Sequence, residues 1–338
     1  MSSSRSTQDT QAFSNSANER AAYDIIGDVH GCAHTLAKLL TKLGYRKTDQ
    51  GFSHPERKTL FVGDIVDRGP RVREALHIVH DMCQSGQAEC VLGNHELYAM
   101  AYFTLLNDDG NFRYLRPHTP HHNRLIAETL EQFDAYPDEW EQMLAWFTTL
   151  PLFIEKPELR IVHACWDSAL IEDFRERFNN GVPDEAFLCA SENPKSFESA
   201  VYRRLTRGTG MELPPGVVIL GRDGIERTSF RTRFWSQNPK VYRDVVFQPD
   251  PLPEYLVDTP LTDAEKARLV HYGENERPVF IGHYWLQGKP AALRPNVACL
   301  DYSAVKYGKL VAYRFDGEQQ LDNSKFVWVS VERDDAAA

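Results

Sequence analysis

Five short apolar runs in this chain stop at residues able to bind a metal or move a proton: Asp28 with His30, Asp64, Asn94 with His95, His163, and His283. Carboxylate, amide and imidazole donors without a thiolate suit borderline-hard divalent ions such as Mn, Fe or Zn. The donors are too many for one tetrahedral site but match two ions, which a shared carboxylate can bridge at about 3.5–4 Å. Each residue also has a plainer reading. Asp28 can form a turn, Asp64 a turn before a helix cap, and Asn94 an N-cap. His163 and His283, taken singly, read as structural histidines. Only a fold that brings all five segments together reverses these readings.

The elements that must do so follow from the apolar pattern. Ala22–Ile26, Thr59–Val62 and Ala88–Leu92 read as strands, each running into a glycine, then ligand-type residues, then a helical pattern. The first helix repeats Leu36, Leu39, Leu40 and Leu43 and stops at Gly44; the second repeats Val72, Ala75, Leu76 and Val79. This strand–loop–helix unit implies parallel pairing and an α/β layered fold, in which chemistry gathers at the carboxyl ends of the strands. A helix is expected from Asp138 to Phe147, with paired strands at Leu152–Ile154 and Leu159–Val162, the second ending at His163. Further helices are expected near Ser168–Phe178 and over Asp263–His271. Later strands are expected at Val279–Ile281, Val297–Asp301, Leu310–Arg314 and Lys325–Ser330.

Two segments break the rhythm. Residues 107–137 contain His118, His121 and His122 but no carboxylate at ligand spacing, and read as a solvated loop or cap. In 167–248, Asp223-Gly224 between strand-like runs signals a hairpin. Its second arm places Arg227, Ser229, Arg231 and Arg233 on one face, either solvated or facing phosphate. One catalytic domain over 21–332 with inserts at 107–137 and 167–248 is expected, after a disordered lead-in (1–20) and before a polar tail (333–338).

The 338 residues are 42% hydrophobic and 25% charged with net charge −10, which fits a globular protein and argues against a general nucleic-acid binder. No apolar run reaches the roughly 20 residues of a membrane span, and the first twenty residues lack a secretory h-region. Cys32, Cys83, Cys90, Cys165, Cys189 and Cys299 show no C-x-x-C spacing, so neither a disulfide framework nor a thiolate zinc site is indicated. A reducing cytoplasm fits.

Gly27-Asp28-Val29-His30-Gly31, Gly63-Asp64-Ile65-Val66-Asp67-Arg68-Gly69 and Gly93-Asn94-His95-Glu96, completed by Val162-His163-Ala164 and Gly282-His283, resemble the motifs of the calcineurin-like metallophosphoesterases of the phosphoprotein-phosphatase superfamily. The resemblance covers roughly residues 22–166 and 278–303. It implies a four-layer α/β/β/α sandwich of two mixed sheets and two divalent metal ions, Mn foremost, with Fe or Zn as other choices. Asp28 and His30 would hold one ion, Asp64 would bridge, and Asn94, His163 and His283 would hold the other. A hydroxide between the ions would attack phosphorus in line, and His95 would protonate the leaving oxygen. Asp67 would hydrogen-bond His95 and raise its pKa, while Arg68 would grip phosphate and Asn94 would also touch it. Glu96 receives no role beyond first-turn helix electrostatics.

His163 is followed by Ala164-Cys165, where eukaryotic members carry Gly-Gly; this form is closer to bacterial members. The expected substrates are phosphate monoesters, on phosphoproteins or small molecules. The alternative is symmetrical cleavage of dinucleoside tetraphosphates, suggested by Leu300-Asp301, which is similar to a Leu-Asp-Thr-Gly stretch of those hydrolases but departs from it at Tyr302-Ser303. Asp67 weighs the other way, because some tetraphosphate hydrolases lack that aspartate. A third reading is a non-catalytic scaffold on the same fold. The expected partner is a phosphorylated protein, small phosphoester or nucleotide, with no nucleic-acid polymer and no membrane.

Overall fold

The computed structural model describes residues 22–108, 110–178, 181–221, 224–247 and 252–332. The expected lead-in, the polar tail and Asp223 lie outside these residues.

Three copies of the anticipated unit open the chain: β1 (Ala22–Ile26) with α1 (Ala33–Leu43), β2 (Arg57–Phe61) with α2 (Val72–Gln84), and β3 (Ala88–Cys90) with α3 (Asn94–Phe103). Gly44 ends α1 at φ 97°, a left-handed conformation that glycine adopts without a Cβ clash. Then come β4 (Phe153–Glu155), β5 (Arg160–Val162), β6 (Val279–Ile281), β7 (Val297–Cys299), β8 (Asp301–Tyr302), β9 (Lys309–Phe315) and β10 (Phe326–Ser330).

These strands make two mixed sheets. In the six-stranded sheet β1, β2 and β3 are parallel, and β9 runs antiparallel to β1, β8 and β10. In the four-stranded sheet β7, β6 and β5 are parallel and β4 is antiparallel to β5. The period-two alternation of a strand decides which residues meet between the sheets. Ile25, Leu60, Ile161, Phe280, Ala298 and Tyr313 form one buried cluster there. Their neighbours Ile26, Phe61, Val162, Ile281 and Cys299 belong to the other large cluster, with the apolar faces of α1 and α2 and with Phe174 and Leu205 of helices Ser168–Arg177 and Phe197–Arg207. The layers therefore run helix, sheet, sheet, helix, as the resemblance implies.

Several expectations change. The apolar run Val297–Asp301 is not one strand. It leaves the four-stranded sheet after Cys299 and joins the six-stranded sheet at Asp301, because inward and outward faces must be filled in both. The helix expected over Asp263–His271 ends at Lys266, after which Leu269 packs against a small third core. That core holds Met211, Phe230, Tyr242 and Leu256. The hairpin exists only as the short pair Ile219–Leu220 with Glu226–Arg227; the longer arm, Ser229–Thr232, pairs with Thr209–Glu212 instead. Residues 107–137 contain part of a hairpin and the helices Pro120–Leu125 and Ala127–Phe133. His118 stacks there between Tyr102 and Tyr114, a structural use of the histidine. No helix among the described residues is long and apolar enough to cross a membrane.

Candidate metal centre

The carboxyl ends of β1, β2, β3, β5 and β6 meet at one seam between the two sheets. His30, Asp64, Asp67, Arg68 and His283 all have positive φ there, between 42° and 70°. For residues other than glycine such backbone is sparsely populated, and it persists only where the surroundings over-determine it. Glycine is required for a different reason at two nearby positions. A Cβ on Gly93 would overlap Asp64 Oδ1, and one on Gly282 would overlap Asp28 Oδ1.

Asp64 is the centre of the arrangement. Its Oδ1 accepts from His95 N (3.0 Å), and its Oδ2 faces His163 Nε2 at 3.2 Å and His30 Nε2 at 3.5 Å. Both imidazoles are oriented from behind: His30 Nδ1 bonds Val66 O and His163 Nδ1 bonds Val62 O, each at 2.8 Å. A ring that donates from Nδ1 presents Nε2 as a lone pair, the form that ligates metals. Burial pushes His163 down, but Asp64 outweighs it and lifts His163 to about 10, so a positive charge is favoured at that spot.

Two overlapping groups have the spacing to hold an ion, His30–Asp64–His95 and Asp64–His163–His283, and both include Asp64. Asp28 belongs to neither. Its carboxylate accepts from His283 N at 3.1 and 3.4 Å, while burial, followed by Asp301, holds its pKa well above the usual range. His95 lies geometrically in the first group, although the sequence reading placed it only opposite the leaving group.

Residues 23–181 match the family described as calcineurin-like phosphoesterase. That match covers just under half of this chain. The chain is similar to an asymmetrical bis(5'-nucleosyl)-tetraphosphatase of Halalkalibacterium halodurans, with 46% identity over 22% of this chain and 30% of that protein. The corresponding enzyme of Bacillus subtilis is 33% identical over 42% of this chain and 57% of its own length. A symmetrical bis(5'-nucleosyl)-tetraphosphatase of Vibrio vulnificus is 26% identical over 87% of this chain and 95% of its own. The chain thus spans well under two thirds of the first two relatives and nearly all of the third.

The residues gathered at this seam fit divalent ions. His283 Nε2 is buried without a partner. Asn94 Nδ2 can donate to His283 Nδ1 (2.9 Å) and Thr206 O (3.2 Å), with its oxygen on His95 N (3.3 Å).

His95 Nδ1 and Asp67 Oδ2 are 2.6 Å apart, so the expected pair forms. Its electrostatics differ from expectation. Burial lowers His95 to about 4 and raises Asp67 to about 8. With both groups out of water, the net-neutral pair outcompetes the ion pair.

Three supporting residues escaped the sequence reading. Glu96 is fully buried and accepts backbone N–H groups of Asp64 (2.9 Å), Ile65 (2.7 Å), Val66 (3.2 Å) and Gly93 (2.9 Å). Its place three residues after Gly93, at the third position of α3, was the available signal. Thr129 donates to Asp67 Oδ1 and accepts from Asp67 N; a lone threonine within an insert carries no signal. Asp301 accepts from Trp285 N and Ser303 N, each at 2.9 Å, and so holds the loop after His283.

Proposed function

We propose that this chain is a metallophosphoesterase and hydrolyses phosphoester or phosphoanhydride bonds with two divalent ions held by Asp28, His30, Asp64, Asn94, His163 and His283. The observation that carries this is the Asp64 carboxylate, faced by two imidazoles from different sheets whose Nδ1 atoms are already committed to carbonyls. Bound there, divalent ions supply Lewis-acid polarisation of phosphoryl oxygens and bring the pKa of water towards neutrality.

The chain's own groups do the rest. Arg68 stands 3.2 Å from His30 Nε2, makes no carboxylate ion pair among the described residues, and is free to bind phosphate oxygens with its planar fork. His95 gives its Nε2 proton to the leaving oxygen as the phosphorus–oxygen bond breaks, and Asp67 fixes the ring. Thr129 and Glu96 hold Asp67 and Asp64 in turn.

For the substrate, a specific feature favours the dinucleoside tetraphosphate reading over phosphoproteins. A cavity of about 1050 Å³ adjoins the cluster, with Arg203, Arg207, Arg231, Lys306, Phe230 and Trp285 in its lining. That is at the upper end of small-ligand sites and supplies cations for several phosphates and rings for a base. The names of the relatives support the same choice. The test is kcat/KM for diadenosine tetraphosphate, a phosphopeptide and p-nitrophenyl phosphate on one Mn-loaded sample. The tetraphosphate is expected to lead by at least about tenfold; a phosphopeptide that matched it would restore the phosphoprotein reading. No metal-dependent turnover of any of the three would leave the scaffold reading.

A further inference from the structure

Trp285, two residues after His283, is a bulky side chain on left-handed backbone (φ 48°). Its N–H is held by Asp301 Oδ2 and the next residue's N–H by Asp301 O, each at 2.9 Å. The ring so placed is the meeting point of three cations. Lys306 Nζ lies 4.1 Å from its centroid, Arg68 Cζ 5.3 Å and Arg231 Cζ 5.7 Å. They come from three separate segments: the loop after β2, the strand Ser229–Thr232 of the second insert, and the turn Ala304–Lys306.

None of the three has a carboxylate ion pair among the described residues, while the protein elsewhere pairs its arginines freely, as in Arg73–Glu139 and Arg160–Glu155. Cation–π attraction draws each to the indole, but three like charges around one ring repel one another. Burial, with Arg207 and Arg68, pushes Arg231 below its ordinary pKa. Such an arrangement is completed by an anion. A second observation points to a ligand in the same place: Tyr284 OH, fully buried and without a partner, belongs to a residue lining the cavity that Arg231 and Lys306 line. Arg68, by contrast, stands against His30 in the metal cluster. The cations on Trp285 therefore reach from the cluster into the cavity.

We infer that Trp285 is a specificity-determining residue that gathers Arg68, Arg231 and Lys306 into one clamp for successive phosphate groups, so that the enzyme selects substrates carrying phosphate beyond the one attacked. This rests on the phosphoesterase reading for its biological meaning, but the clamp can be tested by binding alone. Arg233, grouped with Arg231 in the sequence, has no part in it: it is exposed and lines a different groove with Ser236 and Lys266.

The experiment is calorimetric titration of the Mn-loaded full chain with orthophosphate and with tripolyphosphate at fixed free Mn. Wild type is expected to bind tripolyphosphate at least about tenfold more tightly than orthophosphate, and Trp285→Leu to lose most of that ratio. Trp285→Phe, which keeps a π face, should retain the ratio within about threefold. Arg231→Gln and Lys306→Gln reach the same contrast without disturbing the strained loop, and each should lower the ratio. An equal affinity for both anions in wild type, or an unchanged ratio in Trp285→Leu and both glutamine variants, would overturn the clamp. Failure of the hydrolase reading shows separately, as absence of turnover of p-nitrophenyl phosphate by wild type.

Discussion

His95 and Asp67 show how burial governs the chemistry of single residues. Between about pH 4 and pH 8 their pair holds two protons, one in the 2.6 Å Nδ1–Oδ2 bond and one on Nε2. Above about pH 8 one proton leaves, Asp67 becomes a carboxylate that accepts from Nδ1–H, and Nε2 is left bare. Proton donation to the leaving group should therefore fall as pH rises through the titration of Asp67, and cations bound beside the pair move this limb to lower pH. His95→Asn should slow an alkyl phosphate by about 10²–10⁴-fold and abolish that limb, while an activated aryl ester loses much less. Equal losses on both esters would remove His95 from the acid role. The motif residues were legible because their types are chemical. Glu96 was legible only as a capping carboxylate three residues after Gly93, because its bonds to the backbone N–H groups of the Asp64 loop join segments distant in sequence. Glu96→Gln turns an amide nitrogen towards those donors, and denaturant unfolding should show a loss of about 3 kcal/mol. A loss under about 0.5 kcal/mol would contradict the caging role.

At the scale of elements, the strand–loop–helix units were readable because each strand is apolar, each loop begins with glycine, and α1 and α2 keep a clean apolar face. The inserts were not readable. They are organised by contacts distant in sequence, such as Thr129 on Asp67 and the core of Met211, Phe230 and Leu256. The run Val297–Asp301 was misread because a strand that changes sheets keeps the same apolar composition across the crossing. Loop geometry makes a prediction of its own. Gly282 lies so close to Asp28 that Gly282→Ala must displace the carboxylate from His283 N. Metal titration of this variant should show affinity reduced by about 10–100-fold, as for other losses of support behind a ligand. Unchanged affinity would mean that the position of Asp28 does not matter to the ions.

For the whole molecule, the net charge of −10 concealed a local concentration of the opposite sign beside the metal-type cluster. Composition records a sum, and binding depends on where the fold places the terms. Here the fold aligns the carboxyl ends of strands from two sheets at one seam, so that Asp64 from the six-stranded sheet faces His163 from the four-stranded sheet. The proposed hydrolysis depends on that meeting point more than on any other contact. The most direct measurement is turnover of p-nitrophenyl phosphate by Asp64→Asn at saturating Mn, alongside wild type and with Mn stoichiometry determined for both. A shared carboxylate at the centre of two ions predicts a rate at least about 10³-fold lower and fewer than two ions retained. Full activity with two ions bound would contradict it.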